Sequence, residues 1–178
     1  MRLFSFLSGC DCAALWPRFR DAFETLGLYA GPDDMAQALR GLRSLATRLR
    51  RHMDSALLIA DWLQKRAEVA EVLYPALPGS RGHALWKRDF TGACGLLSVI
   101  LKPASRAQIA AMVDDFEIFS IGESWGGFES LVVPFKPHRT ATKWADTGPC
   151  LRFHIGLEDP ADLIADLAAG LDRLRAMA

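Results

Sequence analysis

The sequence predicts an α+β fold, in which a mainly antiparallel sheet of about four strands has helices on one side and follows a long helix. Two patterns lead to this prediction. Apolar residues recur every three or four positions through residues 33–66, as on one face of a long amphipathic helix. Short apolar or alternating segments follow, and they adjoin one another more often than they alternate with helices, which favours α+β over α/β.

Composition limits the classes of function. The 178 residues are 51% hydrophobic and 24% charged, which is typical of a globular protein with a core. The 21 basic and 21 acidic residues balance, and no apolar run is as long as a membrane span. We therefore expect no nucleic-acid partner, no membrane partner and a cytoplasmic location. Residues 1–10, MRLFSFLSGC, imitate an export signal, but their apolar run is shorter than a signal peptide requires.

The cysteines do not predict a metal site. Cys10 and Cys12 form a C-x-C pair, whereas Cys94 and Cys150 are isolated. None of the four histidines lies at ligand spacing from the pair. We expect no metal, and free thiols in a reducing compartment.

The N-terminal third is predicted to be helical. A short helix follows Pro17 and ends by Gly31, and the long helix begins at Pro32 with two aspartates and ends near Arg66. The polar face of the long helix is rich in arginine, which predicts a solvated or interface face, with a nucleic-acid groove as the alternative. The arginines are Arg40, Arg43, Arg48, Arg50 and Arg51.

The remaining elements follow from apolar runs and from capping residues. Proline and glycine indicate a loop over residues 75–92, Ser105 is a predicted N-cap, and Asp159 with Pro160 begins the last helix. Strands are predicted at 69–75, 94–101, 117–121, 130–135 and 150–157, and helices at 105–116 and from 160 onward.

The strand at 150–157 carries a candidate binding residue. Leu151, Phe153 and Ile155 alternate with Arg152 and His154. An arginine fixed on a strand offers a rigid fork of donors that matches a carboxylate. The alternative is that the Arg152 face is solvated. His154, like His83, could act in acid–base chemistry, although a lone histidine is more often a structural hydrogen-bonding residue.

A second candidate is the SWGGFESL segment at residues 124–131. Gly126 and Gly127 permit a tight turn and close approach of a ligand. Ser124 offers a hydroxyl group and a backbone N–H, and Trp125 offers an apolar wall. The alternative is an ordinary turn with Trp125 packed underneath. No hydrolase or phosphate-loop motif is present.

Four segments together resemble a known family. They are LRGLRSLATRLRRH, VLYPALPGSRGHALWKRDFTGACGLLS, FEIFSIGESWGGFESL and LRFHIGLEDPADLIADL. They are similar to the C-terminal part of the cystathionine β-lyases, in the pyridoxal-phosphate-dependent transsulfuration family. The resemblance implies the fold of fold type I enzymes, with residues 67–178 as the small C-terminal domain. Residues 32–66 are then the connecting helix, and residues 1–31 an irregular segment and short helix left from the large domain.

The resemblance also implies a function. In it, Arg152 holds the α-carboxylate of the substrate, with Ser124 and Trp125 beside it. The implied reaction uses pyridoxal phosphate to cleave cystathionine to homocysteine, pyruvate and ammonia in methionine biosynthesis. Glu123 departs from the pattern, since tyrosine often stands there in β-lyases, and Glu followed by Ser is similar to γ-lyases and γ-synthases. The exact substrate therefore stays open.

The segments that resemble the family do not include its cofactor-binding domain or its imine-forming lysine. Lys143 has a similar local sequence, but its position between the SWGGFESL segment and Arg152 is wrong for that role. We expect these residues alone to be inactive and not to bind pyridoxal phosphate. One hypothesis is that the gene is truncated or frame-shifted just after the family's lysine region, so that the N-terminal residues MRLFSFLSGCDC are a novel start. The chain then acts as an enzyme segment completed by another chain, or as a non-catalytic interaction domain, and its uncovered apolar surface favours a homo-oligomer.

Overall fold

A computed structural model describes residues 15–141, 143–145 and 148–177. The backbone forms two compact units, which divide between Ser44 and Leu45. Cys10, Cys12 and the possible export signal lie outside the described residues. The assignment of residues 67–178 as a small C-terminal domain stays a prediction.

The first unit contains helix α1, Trp16–Leu26, and the beginning of helix α2. The predicted short helix exists, but it ends before Gly31. Gly27 adopts a φ of 62°, a left-handed conformation that stops the helix and that glycine accepts without strain. After the stop, Tyr29 packs edge-on against Phe23, with ring centroids 4.7 Å apart.

Helix α2, Pro32–Leu63, is the predicted long amphipathic helix. Asp33 and Asp34 lie in its first turn, where negative side chains interact favourably with the helix dipole. It ends three residues earlier than predicted, because the amides of Lys65 and Arg66 bond to carbonyls three residues back in tighter turns. Its last third packs into the core through Ala56, Ile59, Ala60 and Leu63.

The second unit is built on one sheet of five strands, one for each of the five predicted strand segments, where a sheet of about four was expected. The order across the sheet is β1-β2-β5-β4-β3, and every pair is antiparallel except β3 with β4, which is parallel. The strands are β1 Val69–Leu73, β2 Leu96–Leu101, β3 Ser120–Ile121, β4 Leu131–Phe135 and β5 Cys150–His154. The α+β class predicted from the sequence is therefore confirmed.

The predicted loop at 75–92 is wrong in part, because it contains helix α3, His83–Asp89. The helix starts after Gly82, whose φ is 79°, and such a short helix between Pro- and Gly-rich turns leaves no periodic apolar pattern. The Nε1–H of Trp86 donates to the carbonyl of Gly92 at 3.1 Å, and His83 Nδ1 lies 2.8 Å from the carbonyl of Pro75. His83 is therefore a structural hydrogen-bonding residue.

Two capped helices complete the unit. Helix α4, Arg106–Val113, begins with the predicted cap at Ser105, which forms a capping box with Gln108. Helix α5, Pro160–Ala176, begins with Asp159, whose side chain accepts the amide of Ala161. The core consists of apolar side chains from the sheet and from helices α2, α4 and α5.

Candidate functional site

Arg152 occupies the centre of β5, between Ser98 of β2 and Val133 of β4. Arg152 is half-buried as a residue, and its Nη2 donates to the backbone carbonyl of Glu123 at 2.6 Å in an exposed contact. Among the described residues this is its one hydrogen bond, so further N–H groups of the fork are available to a ligand. The structure thus brings Arg152 to the segment that the sequence analysis singled out separately.

A loop of residues 122–130, here called the 122–130 loop, connects β3 to β4. Glu123, Ser124 and Trp125 are all exposed, and Trp125 is 61% exposed. The alternative in which Trp125 packs underneath the turn is therefore wrong. Gly126 has a φ of 90°, a backbone conformation that side-chain-bearing residues rarely adopt, and this explains the glycine beside the tryptophan.

His154 fixes the turn of this loop. Its side chain is only 3% exposed, and its Nε2 lies 3.2 Å from both the amide nitrogen of Gly126 and the carbonyl oxygen of Gly127. Sequence alternation grouped His154 with Arg152 on a face that could be solvated, and for His154 that interpretation is wrong. The ring of His52, from α2, lies tilted beside the ring of His154, with centroids 5.1 Å apart.

A second set of bonds holds the C-terminal end of the loop. Ser130 is fully buried: its amide and hydroxyl groups donate to the two oxygens of Glu158, each at 2.8 Å. The amide of Gly156 donates to Ser130 Oγ at 2.8 Å, and the amide of Leu157 donates to the carbonyl of Phe128 at 2.8 Å. A Cβ at Gly156 would clash with the Phe128 carbonyl and the Glu158 carboxylate, so position 156 requires glycine.

The arginine face of α2 also contacts the site. Arg48 Nη1 donates to the carbonyl of Gly126 at 3.2 Å, and Arg51 Nη2 donates to the carbonyl of Glu158 at 3.3 Å. The predicted solvated or interface face did not identify these two contacts, in which Arg48 and Arg51 donate to backbone carbonyls of Gly126 and Glu158. Sequence periodicity places them on the polar face but cannot identify a partner 78 residues away.

Burial controls the charge of His154. It lowers the pKa of His154 below the usual 6.5, because a charged imidazolium loses solvation there. The Gly127 carbonyl and Glu158 oppose this shift, whereas His52 and Arg152 reinforce it. His154 is thus neutral near pH 7, with one ring nitrogen free to accept a hydrogen bond.

An apolar cavity lies away from Arg152. It is an open, mainly apolar cleft of about 840 Å³ between α2 and α3, lined by Leu49, Met53, Tyr74, Leu85 and Trp86 among others. Lys143 lines another cavity, beside Pro137 and Trp144. Among the described residues, no cluster suited to a metal ion occurs and no helix is long and apolar enough to cross a membrane.

The same fold occurs in solved enzymes. The cystathionine γ-synthase of Xanthomonas oryzae pv. oryzae superposes with a TM-score of 0.78 and 34% identity, over 93% of this chain and 44% of that one. An O-acetylhomoserine sulfhydrylase structure from Wolinella succinogenes, with a TM-score of 0.72 and 24% identity, shares the fold alone. The fold class is that of the fold type I pyridoxal-phosphate-dependent enzymes.

Sequence comparison identifies the family within that class. Residues 8–172 match the family model of Cys/Met metabolism PLP-dependent enzymes, and the chain belongs to this family. The cystathionine beta-lyase of Salmonella typhimurium is 46% identical over 168 residues, which are 91% of this chain and 42% of that protein. An L-alanine/L-glutamate racemase of Wolbachia pipientis is 41% identical over 158 residues, 86% of this chain and 39% of that one. The chain thus spans about two fifths of the length of these relatives.

Proposed function

We propose that this chain forms the substrate-carboxylate side of a pyridoxal-phosphate-dependent carbon–sulfur lyase that acts on cystathionine or a closely related amino acid. The observation that carries the proposal is the bond from Arg152 to the Glu123 carbonyl at 2.6 Å. It aims the cationic fork of half-buried Arg152 at an exposed loop that carries a hydroxyl group and an indole ring. Such a fork recognises a carboxylate through two parallel hydrogen bonds.

Each residue of the site has a proposed role. Arg152 binds the α-carboxylate, Ser124 donates a further hydrogen bond, and Trp125 closes the pocket as an apolar wall. Glu123 orients Arg152 through its backbone carbonyl, a contact that any residue at this position could make. The Glu123 side chain is therefore free to differ between β-lyases and γ-type enzymes without loss of the arginine anchor.

The cofactor requires groups that these residues do not supply. Pyridoxal phosphate provides the electron sink for chemistry at the α-carbon. The 122–130 loop and β5 contain no lysine, and Lys65 pairs with Asp61 at 2.5 Å on the surface of α2. The site fits a carboxylate, whereas it lacks the reactive lysine that this chemistry needs. We propose that these 178 residues alone neither form an imine with the cofactor nor cleave cystathionine, and that activity requires the rest of the family fold.

Two observations favour an association role beside this one. Relatives with a lyase, a synthase and a racemase in their names match most of this chain, so the segment itself does not fix one reaction and leaves the reaction to the rest of the fold. The first unit also exposes many apolar side chains, which is typical of a surface that another chain covers. They are Leu15, Trp16, Phe19, Leu26, Leu28, Tyr29, Met35, Leu39 and Leu42. A homo-oligomer or an interaction domain is the second candidate.

The first experiment is an absorbance titration of the chain with pyridoxal phosphate, followed by borohydride reduction and peptide mapping. We expect no saturable imine band and no pyruvate from cystathionine. Specific trapping on one lysine would overturn the claim that the chain is inactive alone.

The second experiment restores the rest of the fold. The 168 matched residues replace their counterparts in the Salmonella cystathionine beta-lyase, and pyruvate release from cystathionine is measured. We expect activity that depends on Arg152. A well-folded chimaera with bound cofactor whose activity is unaffected by Arg152→Gln would refute the proposed carboxylate site.

A further inference from the structure

We propose that His154 is a positioning residue: its neutral imidazole accepts the Gly126 amide and thereby sets the turn that carries Ser124 and Trp125. The relevance of this turn to substrate rests on the proposed function. The hydrogen bond from the Gly126 amide to His154 does not rest on the proposed function, and it can be tested in the chain without any ligand.

The tautomer of the neighbouring histidine is determined by its partner. His52 Nδ1 lies 2.7 Å from the carbonyl oxygen of Ile155, and the His52 ring is 2% exposed. A carbonyl oxygen only accepts, so Nδ1 of His52 carries the proton. Its Nε2 then carries a lone pair and no proton, and this atom is buried without a hydrogen-bond partner among the described residues.

The tautomer of His154 follows from this neighbour. Its Nδ1 is also buried without a partner among the described residues, and the two rings are 5.1 Å apart. With the proton on Nε2, two lone pairs would be buried in adjacent rings and the Gly126 amide would have no acceptor here. With the proton on Nδ1, Nε2 accepts the Gly126 amide at 3.2 Å. The first arrangement serves the Gly127 carbonyl, whereas the second serves the Gly126 amide. The second is favoured, because backbone N–H groups without an acceptor are rarer in proteins than under-satisfied carbonyl groups.

The surrounding residues keep this arrangement in place. Gly95 packs so closely that a Cβ there would lie 3.3 Å from both Cε1 and Nδ1 of His154. Arg48 donates to the carbonyl of Gly126, so both polar groups of this residue are held, its amide by His154 and its carbonyl by α2. The loop is therefore fixed at the residue that directly follows Trp125.

Protonation would exchange one bond for another. A proton on Nε2 removes the acceptor for the Gly126 amide and leaves only a donor toward the Gly127 carbonyl, 3.2 Å away. The charged or titratable groups that act on the ring are His52 from α2, Arg152 from β5 and Glu158 after β5. Arg48 adds a positive charge at the Gly126 carbonyl. Acidification should thus release the Gly126 amide while the sheet stays intact.

The test uses nitrogen-15 NMR spectroscopy and amide hydrogen exchange on the full 178-residue chain. At pH 7.5 we expect both His52 and His154 to carry their proton on Nδ1. His154→Leu removes the acceptor and should speed exchange of the Gly126 amide about tenfold. His154→Gln, whose side-chain oxygen can reach the position of Nε2, should restore most of the protection. As the pH falls, the Gly126 amide should lose protection along the titration curve of His154.

Three controls separate positioning from general destabilisation. The Leu101 amide, which bonds to Pro149 at 2.9 Å on β2, should exchange at the same rate in every variant. His83→Leu changes a histidine that stacks on Trp86 far from the loop, and it should leave Gly126 unaffected. If His154→Leu does not fold, the tautomer and the pH profile of the unmodified chain still decide the question.

Two results would overturn the proposal. One is a proton on Nε2 of His154 at pH 7.5, and the other is unchanged exchange at Gly126 in a folded His154→Leu variant. The proposed function fails differently, through activity that is insensitive to Arg152, so the two failures are distinguishable.

Discussion

The guanidinium of Arg152 donates a hydrogen bond to the backbone carbonyl of Glu123 at 2.6 Å, and the two residues are 29 positions apart in sequence. Because the acceptor belongs to the backbone, the contact constrains the path of the loop and not the identity of residue 123. It couples the central strand of the sheet to the residues that line the proposed carboxylate site.

Replacing Arg152 should weaken substrate binding more than it alters folding. In the chimaera, Arg152→Gln removes a charge-assisted, two-pronged bond, so we expect KM for cystathionine to rise about 10- to 100-fold. Arg152→Lys should recover only part of this loss, because an ammonium group lacks the fork. Steady-state pyruvate release measures both effects.

Arg50 provides the matched control for this prediction. It lines the apolar cleft away from Arg152, so Arg50→Gln should leave KM unchanged. Equal effects of the Arg152 and Arg50 variants would mean that general charge, and not the Arg152 fork, attracts the substrate.

Substitution of Gly156 should destabilise the second unit. In Gly156→Ala the new methyl group clashes with the Phe128 carbonyl and the Glu158 carboxylate, and the first of these is backbone that cannot turn away. We expect a loss of about 1–3 kcal/mol in the free energy of unfolding, measured by urea denaturation. Gly127→Ala is the control, because a Cβ at Gly127 meets nothing within 4 Å. Equal stability of the two variants would argue against the tight packing of Gly156 against Phe128 and Glu158.

Loss of the Ser130 hydroxyl should also lower stability, for a different reason. Ser130→Ala leaves the Gly156 amide without its acceptor and one Glu158 oxygen without its donor, in a site that is fully buried. Unmet polar groups of this kind cost about 1–3 kcal/mol. Ser124→Ala, at an exposed position of the same loop, should leave the urea midpoint unchanged. A Ser130→Ala midpoint equal to that of the unmodified chain would contradict the role of this hydroxyl.

Much of the fold follows from local patterns. The helical period of α2 and the caps at Ser105 and Asp159 depend on residues near one another in sequence, and all are confirmed, as is the strand at β5. The predicted alternation along β5 holds for Arg152 but not for buried His154. Helix α3 was missed because seven residues between turns provide too few apolar positions for a period. Helix ends were misplaced by a few residues where Gly27 or tighter turns intervened.

The candidate site was only partly predictable. Arg152 and the glycine pair are conspicuous in the sequence, but the contacts that fix the loop are not. His154, Glu158 and Arg48 contact the loop across 27 to 78 positions. His154 and Arg48 stand out in the sequence, but nothing local indicates that the loop is their partner. Asp166 is similar: it lies on α5 and accepts three consecutive backbone amides, from residues 117–119. Such contacts depend on tertiary packing, which a single sequence does not reveal.

The pH dependence of stability should report on His154. Its pKa is lower in the folded chain than in the unfolded chain, so the unfolded state binds more protons as the pH falls below about 6.5. The stabilisation from neutral, buried His154 is then present above pH 6.5 and is lost progressively as the pH falls toward the depressed folded value. Urea denaturation between pH 8 and pH 5 should show this decline. His154→Gln cannot titrate and should show a smaller slope. His83→Gln, which alters a half-buried histidine that contacts Pro75 and Trp86, should keep the full slope. Identical slopes in the His154→Gln variant and the unmodified chain would mean that another group accounts for the acid sensitivity.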